Sequence, residues 1–478
     1  MSNLIRIQNC NSWLVSADRD LKAKLHRSLR VREKGYYHSK AYKMGQWDGY
    51  REFFKEQTGQ FATGLLPEVL AALKTLKQEY KIEDQREKAD WLRSYIDEEF
   101  LNLWLPPELD DKVYLHDYQV DLVNQALKCS RGIIKAPTAA GKTYIMVSLL
   151  KCLPPKTPVL FMTKNKNLVN QNYEEMKLWG VQNVGRFYGK YKEPNYITCA
   201  TVHKDTLNSL GNLLPKFKVL IVDEVHECMS KVPVSAYRKM KNAYIRLGIS
   251  ATPFKFGGKD KVHKYTVKSF FGPVFKTKTT DSGFLTTAAL QDRGILSPSR
   301  CTFYPVTKPP LPYEPYQDAV TLGIAQNLEF LKMIKDLARS RKGRTLILVE
   351  RIEQGEHLKQ LIPEAHWIQG KDKLEERVKV INDLKSGKNV IAIVMRQLIT
   401  AGINVMLHNL INASGGDAEH NVIQQMGRGL RCASDKEKLE FFDFEFRIND
   451  YLLKHSKNRC KVLQNEGHEV TVKEEIDF

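Results

Sequence analysis

Three short stretches carry residue types and spacings that could do chemistry together. The first is Ala136-Pro137-Thr138-Ala139-Ala140-Gly141-Lys142-Thr143, which fits the P-loop pattern with Ala in place of its first Gly. Small residues let backbone N–H groups close around phosphate oxygens, and a helix that starts there adds its positive end. Lys142 would meet the β- and γ-phosphates of a nucleoside triphosphate, and Thr143 would ligate Mg²⁺. The plain alternative for such a stretch is an ordinary strand-to-helix turn.

The second stretch is Val219-Leu-Ile-Val222 running into Asp223-Glu224-Val225-His226. An apolar strand that ends in two acids delivers carboxylates to the carboxyl edge of a parallel sheet, where ligands bind in such folds. Asp223 would hold Mg²⁺ through its shell, Glu224 would polarise an attacking water, and His226 could sense the γ-phosphate. A strand ending in solvated acids is the competing view. The third stretch, Ser250-Ala251-Thr252-Pro253, follows the next strand. Its hydroxyls either couple the acids to the rest of the machine or cap a turn.

These loops need strands behind them. Short buried-strand runs occur at Gly132–Ala136, Val159–Thr163, Tyr196–Ala200, Val219–Val222 and Tyr244–Ile249, alternating with helical stretches. A second set follows at Thr345–Val349, Ala365–Gln369, Val390–Met395, Asn409–Ala413 and Glu440–Phe444. The alternation predicts parallel sheets covered by helices. Pro106-Pro107 marks one boundary, and Pro298, Pro305 and Pro309–Pro312 another. The expected plan is an α/β chain: a small α/β or α+β N-terminal domain (1–110), then two tandem parallel-sheet domains (111–298 and 299–478).

The N-terminal region is basic. Arg19–Lys55 holds eleven Lys or Arg against four acids, with Tyr36, Tyr37, Tyr42 and Trp47 interspersed. Either Lys40, Lys43 and Trp47 contact a phosphate backbone and an exposed base, or a solvated helix flanks a buried Trp47. The segment Lys255–Lys264, rich in Gly and Lys, is either a strand-separating wedge or a disordered connector.

The whole chain of 478 residues carries 74 Lys and Arg against 55 Asp and Glu, a net charge of +19 that favours a polyanionic partner. Its 42 % hydrophobic content excludes wholesale disorder. The eight cysteines form no C-x-x-C pair, which argues against a zinc site and a secreted disulfide framework. No apolar run approaches the ~18–20 residues of a bilayer span. A cytoplasmic protein that uses no membrane is the expectation.

In their order, the pieces resemble the DExH group of superfamily 2 helicases from about Leu115 onward. Leu115-His-Asp-Tyr118-Gln119 is similar to the entry motif whose Gln reads adenine, implying that role for Gln119. Thr163-Lys164-Asn-Lys-Asn-Leu168-Val-Asn-Gln171 resembles motif Ia, and Ala200-Thr201-Val-His203 resembles motif Ib; both reach phosphates of the tracked strand in the family. Gln424-Gln-Met-Gly427-Arg428-Gly-Leu-Arg431 matches motif VI. The resemblance implies two RecA-like domains with ATP between them, Gln424 at the nucleotide, Arg431 as arginine finger and Arg428 as its γ-phosphate partner. Gln397-Leu-Ile-Thr400-Ala-Gly402-Ile403-Asn404 resembles motif V, placing Gly402 at ATP and Thr400 on nucleic acid. The sequence departs from the family at Asn404 (usually Asp), Met395 (usually Thr) and Ala139 (often Gly).

A narrower resemblance is to the UvsW-type phage helicases of branched DNA, with the XPB and RecG proteins more distant. It rests on Phe271-Gly-Pro-Val, Leu290-Gln-Asp-Arg-Gly294-Ile-Leu, Met406-Leu-His-Asn-Leu-Ile411 and His455-Ser-Lys-Asn-Arg459. In the N-terminal region it rests on Gly45-Gln-Trp47-Asp48-Gly49 and Phe61-Ala-Thr-Gly64-Leu-Leu. The implied protein is a monomeric, ATP- and Mg²⁺-dependent DNA helicase or translocase in the cytoplasm (of the host, if the source is a phage). It would unwind or branch-migrate forked and branched DNA in replication, recombination or repair. The rival readings are an RNA-directed DExH helicase, a duplex translocase that does not unwind, and a binding module with a vestigial ATP site.

Overall fold

Aliphatic runs without polar alternation need cover on both faces, which a parallel sheet between helix layers supplies. The computed structural model of the chain has this architecture. It describes residues 3–15, 18–87, 92–105, 112–277, 284–372, 379–380, 382–384, 390–399, 406–416, 422–423, 426–427, 429–430 and 436–477. Two units make up the chain: Met1–Ala136 with Gly141–Phe284, and Pro137–Ala140 with Leu285–Phe478. Pro106-Pro107, read as a linker, lies outside the described residues.

The N-terminal part of the first unit contains β1 (Asn3–Ile7), β2 (Asn11–Leu14), β3 (Arg30–Arg32), β4 (Tyr50–Glu52), β5 (Gln60–Ala62) and β6 (Tyr80–Asp84). A four-stranded sheet runs β5-β2-β1-β6, and β3 and β4 pair as a separate antiparallel ribbon. The helices Arg19–Ser28 and Leu66–Thr75 close a small core around Ile5, Leu14, Leu25, Phe61 and Val69.

The remainder of this unit holds β7 (Arg131–Lys135), β8 (Val159–Thr163), β9 (Val184–Tyr188), β10 (Tyr191–Lys192), β11 (Ile197–Thr201), β12 (Val219–Asp223) and β13 (Ile245–Ser250). Their order is β10-β9-β11-β8-β12-β13-β7, parallel throughout except for the short β9–β10 hairpin. Every residue of β8, β11 and β13 is buried.

The small sheet region packs on the helix Lys261–Phe271. A Cβ added at Gly64 would lie 2.0 Å from the Lys268 carbonyl oxygen, so this close approach demands glycine. Glu68 pairs with Lys268, and Arg131 donates to the carbonyls of Phe270 (2.6 Å) and Asn9 (2.5 Å). The helix also corrects the expectation for Lys255–Lys264. Lys255–Gly258 form a 3-10 turn, and the Asp260 side chain caps the helix by accepting from the His263 N–H at 2.9 Å. Capping makes this segment an ordered helix entry, not a disordered connector.

The second unit contains β14 (Ser299–Val306), β15 (Thr345–Val349), β16 (His366–Ile368), β17 (Ile391–Met395), β18 (Asn409–Asn412), β19 (Leu439–Phe446) and β20 (Glu469–Val472). The order is β16-β17-β15-β18-β19-β14-β20, with every pair parallel. Pro305 does not break the chain here, as expected from sequence, but sits inside β14. On one side β14 pairs with β19 through Val306, whereas β20 covers only Arg300–Phe303. Beyond Phe303 that side is an edge, where a residue without an N–H is tolerated.

No helix among the described residues is long and apolar enough to cross a membrane.

Candidate ATP-hydrolysis site

In the first unit, β7, β8, β11, β12 and β13 run parallel, so the loops that leave them emerge along one edge. The register aligns Thr201 with Thr163, Asp223 with Ile249, and Ser250 with Lys135. Residues 88 positions apart in sequence, Lys135 and Asp223, thereby end on the same rim.

The loop after β7 uses left-handed backbone twice, at Ala139 (φ 67°) and Gly141 (φ 74°). Gly141 caps the helix Lys142–Lys151, whose first turn presents Lys142 and Thr143. A side chain at Gly141 would collide with the Gln119 amide, 2.3 Å away from an ideal Cβ. Gln119 is buried, and its Oε1 accepts from the His116 N–H at 2.9 Å, so it closes a capping box on its own helix while its amide nitrogen faces the loop.

At the end of β12 the chain turns sharply: Glu224 has φ 46°, unfavourable for any residue with a Cβ. The turn aims its carboxylate into the rim. Lys142 Nζ donates to Glu224 Oε1 at 2.9 Å, and Ser250 Oγ donates to Glu224 Oε2 at 3.0 Å. His226 Nδ1 lies 2.9 Å from Ser250 Oγ and 3.6 Å from Glu224 Oε2. Thr252 N–H donates to Ser250 Oγ at 3.1 Å, and Ala251 is buried between them. His263 Nε2 sits 3.0 Å from the His226 carbonyl, tying this network to the helix that receives the small sheet.

Charge in the rim is uneven. Burial raises the Asp223 pKa to about 6, helped by the neighbouring Glu224 charge and opposed by Lys142. Burial also works on Glu224, but Lys142, His226 and the Ser250 hydroxyl outweigh it and hold its carboxyl below the usual range. One acid is therefore short of positive charge and the other is saturated with it. A divalent cation suits the first: Asp223 is a half-buried carboxylate with no ion pair among the described residues, and Thr143 stands beside Lys142. Among the described residues no group of three or more His, Cys, Asp or Glu could hold a metal by itself.

The expected nucleic-acid contacts divide in two. Thr163 and Thr201 are buried, and their hydroxyls are engaged internally, by the Asn165 carbonyl (3.1 Å) and by Thr206 Oγ1 (2.9 Å). These hydroxyls close turns at the strand ends. Exposed on the same rim stand Lys164, paired with Glu227 at 2.6 Å, and His203 at the start of the helix Lys204–Ser209. In the small sheet region Lys40 and Lys43 are exposed on one short helix. Trp47 is half-buried and donates to the Tyr50 carbonyl at 2.7 Å, neither a core residue nor a free platform. Arg30 and Arg32 stack over Tyr50 at 3.9 and 4.7 Å. Thr400, Gly402, Gln424, Arg428 and Arg431 lie outside the described residues.

Sequence reasoning missed Asn172, whose amide hydrogen-bonds the Asp223 carboxyl, and His263. Asn172 follows the stretch compared with motif Ia by one residue, and its position on the helix Lys166–Leu178 was the available signal.

Comparison with known proteins agrees with this geometry. Residues 112–255 match the model of the type III restriction enzyme res subunit, and residues 328–433 match that of the helicase conserved C-terminal domain. A DNA 3'-5' translocase XPB2 of Sulfurisphaera tokodaii is 31 % identical over 37 % of this chain, which spans only 38 % of that relative's length. The ATP-dependent DNA helicase UvsW of Enterobacteria phage T4 is 22 % identical over 92 % of each chain. Among solved structures, the DUF1998 helicase MrfA bound to DNA and AMPPNP shares the fold, with a TM-score of 0.53 and 15 % identity over 80 % of this chain and 55 % of that one. An HsdR fragment from Vibrio vulnificus YJ016 does so with a TM-score of 0.54 and 16 % identity over 79 % and 72 %. With a nucleotide cradle in its first parallel sheet and a match to the helicase conserved C-terminal domain over its second, the chain is built like the superfamily 2 helicases and is an ATP-hydrolysing enzyme.

Proposed function

We propose that this motor acts on DNA, unwinding or branch-migrating forks and junctions, as a monomer with three domains bounded near residues 110 and 298. The observation that carries the DNA reading is the likeness to UvsW across 92 % of both chains, which takes in the small N-terminal sheet as well as the motor. The net charge of +19 supports a polyanionic track.

The chemistry follows from the rim. Lys142 Nζ donates to Glu224 Oε1. Triphosphate oxygens compete for that ammonium, and a lysine, as a compact point charge on a flexible stem, can change partners. Its departure removes the strongest cation from Glu224, raises the carboxylate's proton affinity and leaves it a better acceptor for a water proton. Ser250 keeps Oε2 in place while Oε1 is released. Substrate binding and activation of the base are thereby one event. Mg²⁺, held by Thr143 and Asp223, would supply positive charge to the phosphates. Arg431 is assigned the role of stabilising charge on the transferred phosphoryl and Arg428 that of its γ-phosphate partner. Strand contacts are assigned to Lys164, His203, Lys40 and Lys43, together with Thr400.

ATPase and unwinding measured across forked DNA, four-way junctions, linear duplex and RNA hybrids test this reading. Stimulation is expected to be greatest with forks and junctions. Stimulation by RNA alone would overturn it, and triplex displacement without fork unwinding would recast the protein as a duplex translocase.

A further inference from the structure

Tyr313 is 97 % exposed, more than any other large apolar or aromatic side chain among the described residues. Such exposure on a floppy loop would mean little. This loop is held. Pro309, Pro310, Pro312 and Pro315 restrict φ at four of the seven positions from 309 to 315. Leu311 and Tyr316, on either side, pack inward against the core of the second unit.

A single buried side chain fastens both flanks of the tyrosine. Asn449 is 4 % exposed, and its Nδ2 donates to the carbonyls of Leu311 (2.7 Å) and Glu314 (3.1 Å). Its Oδ1 accepts from the Tyr451 N–H at 2.9 Å, capping the helix Asp450–Asn465. The Leu311 N–H donates to the Ile448 carbonyl at 2.7 Å, and Asn327 Nδ2 donates to the Lys308 carbonyl at 2.8 Å. Residue 313 is thus carried at the tip of a pinned three-residue arch, with the half-exposed Tyr451 ring at the cap below it.

Its place in the fold gives the arch a partner. It follows β14, and all seven strands of this sheet are parallel, so the arch stands on the carboxyl edge from which the chain also leaves β15, β17 and β18. Ligands of open α/β sheets bind along that edge. Local charge is mixed, with Lys308 and Lys454 against Glu314, Asp318 and Asp450, so phosphate attraction alone does not single out this spot. A flat aromatic face does: every nucleobase has a π-face, and stacking needs no charge.

We infer that Tyr313 is a base-stacking residue that contacts an unpaired nucleotide of the translocated strand, with Asn449 as its positioning residue. This rests on the proposed action on DNA. The test places single 2-aminopurine substitutions along the single-stranded arm of a fork and reads their emission on binding of the full chain, beside fork unwinding and DNA-stimulated ATPase. The wild type, Tyr313→Phe and Tyr313→Trp should alter emission at one or two adjacent positions. Tyr313→Ala should abolish that change, weaken single-strand binding about tenfold, within the range for one stacked base, slow unwinding, and raise about tenfold the DNA concentration that half-stimulates the ATPase. Asn449→Asp, which keeps the capping acceptor but loses both donated bonds, should show a partial loss in the same readouts. Unchanged emission and unwinding in Tyr313→Ala overturn the inference and leave the ring to a protein partner. Failure of the DNA reading itself registers separately, as a wild-type ATPase that no DNA stimulates.

Discussion

Two largely buried carboxylate–cation pairs, one from each unit, are built to opposite ends. In the second unit Arg459 and Asp443 are 1 % and 0 % exposed as side chains and joined by two hydrogen bonds, at 2.8 and 2.9 Å. Arg459 also donates to the carbonyls of Gly416 (2.6 Å) and Phe444 (3.1 Å), and Asp443 accepts from Asn412 (2.9 Å). Almost every polar atom of that pair is spoken for, and the fork geometry of arginine fits it. In the first unit Lys142 and Glu224 share one hydrogen bond, keep 20 % and 11 % of their side chains accessible, and rest on a residue with left-handed backbone. The first arrangement locks β18, β19 and the helix Asp450–Asn465 together. The second can be opened by a competing anion. Satisfaction and accessibility, more than burial, separate a structural ion pair from a reactive one.

The sharpest way to break the comparison is to remove each cation. Lys142→Ala should cut ATP turnover by about a thousandfold or more, as expected for a residue that steadies transferring phosphoryl charge, while circular dichroism melting stays close to wild type. Arg459→Ala should do the reverse. Stranding Asp443 without its cation should cost about 3–5 kcal/mol, seen as a large fall in the melting temperature of the second unit by calorimetry, with activity lost only through unfolding. If Arg459→Ala melts like the wild type but cannot hydrolyse ATP, the division drawn here fails.

Asp223 sharpens the contrast through pH. Its folded-state pKa of about 6 lies above its ordinary 3.8, so the folded protein binds that proton more tightly than the unfolded chain does. Stability from this group is complete below about pH 4 and is lost as pH rises through 6; at neutral pH the ionised carboxylate weighs against the fold. Asp223→Asn should therefore raise nucleotide-free stability at about pH 7.5 by as much as about 3 kcal/mol, with the gain vanishing toward pH 4, and should abolish hydrolysis. Melting curves at the two pH values read it directly. The smallest effect belongs to Ala139→Gly. Relief of its left-handed backbone, less the flexibility gained by the unfolded chain, should stabilise by about 1 kcal/mol at most, measurable by urea denaturation.

How much of this was legible in sequence depended on range. Gly132–Ala136 was read for a strand at Arg131–Lys135, and Asn409–Ala413 for one at Asn409–Asn412, because buried parallel strands are continuous apolar runs. Lys142, Glu224 and Ser250 were found because each lies at the end of such a strand or in the loop that leaves it, so topology brings them to one rim. β14 was missed because Pro305 reads as a breaker, and only the short reach of β20 makes it harmless. Asp443, Arg459, Asn449 and Tyr313 carried no role in the sequence reading. Their partners lie 16 to 138 positions away and repeat no local pattern. The threonines at 163 and 201 show the converse: their motifs placed them at the right edge, but strand packing turned their hydroxyls inward.

The account turns on Glu224 being the group that activates water while Lys142 and the loop hold nucleotide. Steady-state hydrolysis and fluorescent ATP binding, measured side by side in Glu224→Gln with forked DNA present, separate those roles. The prediction is turnover reduced by two to four orders of magnitude, the usual span for a lost general base, with ATP affinity kept within a few-fold of wild type. Turnover near the wild-type rate would show that the base lies elsewhere and contradict the account.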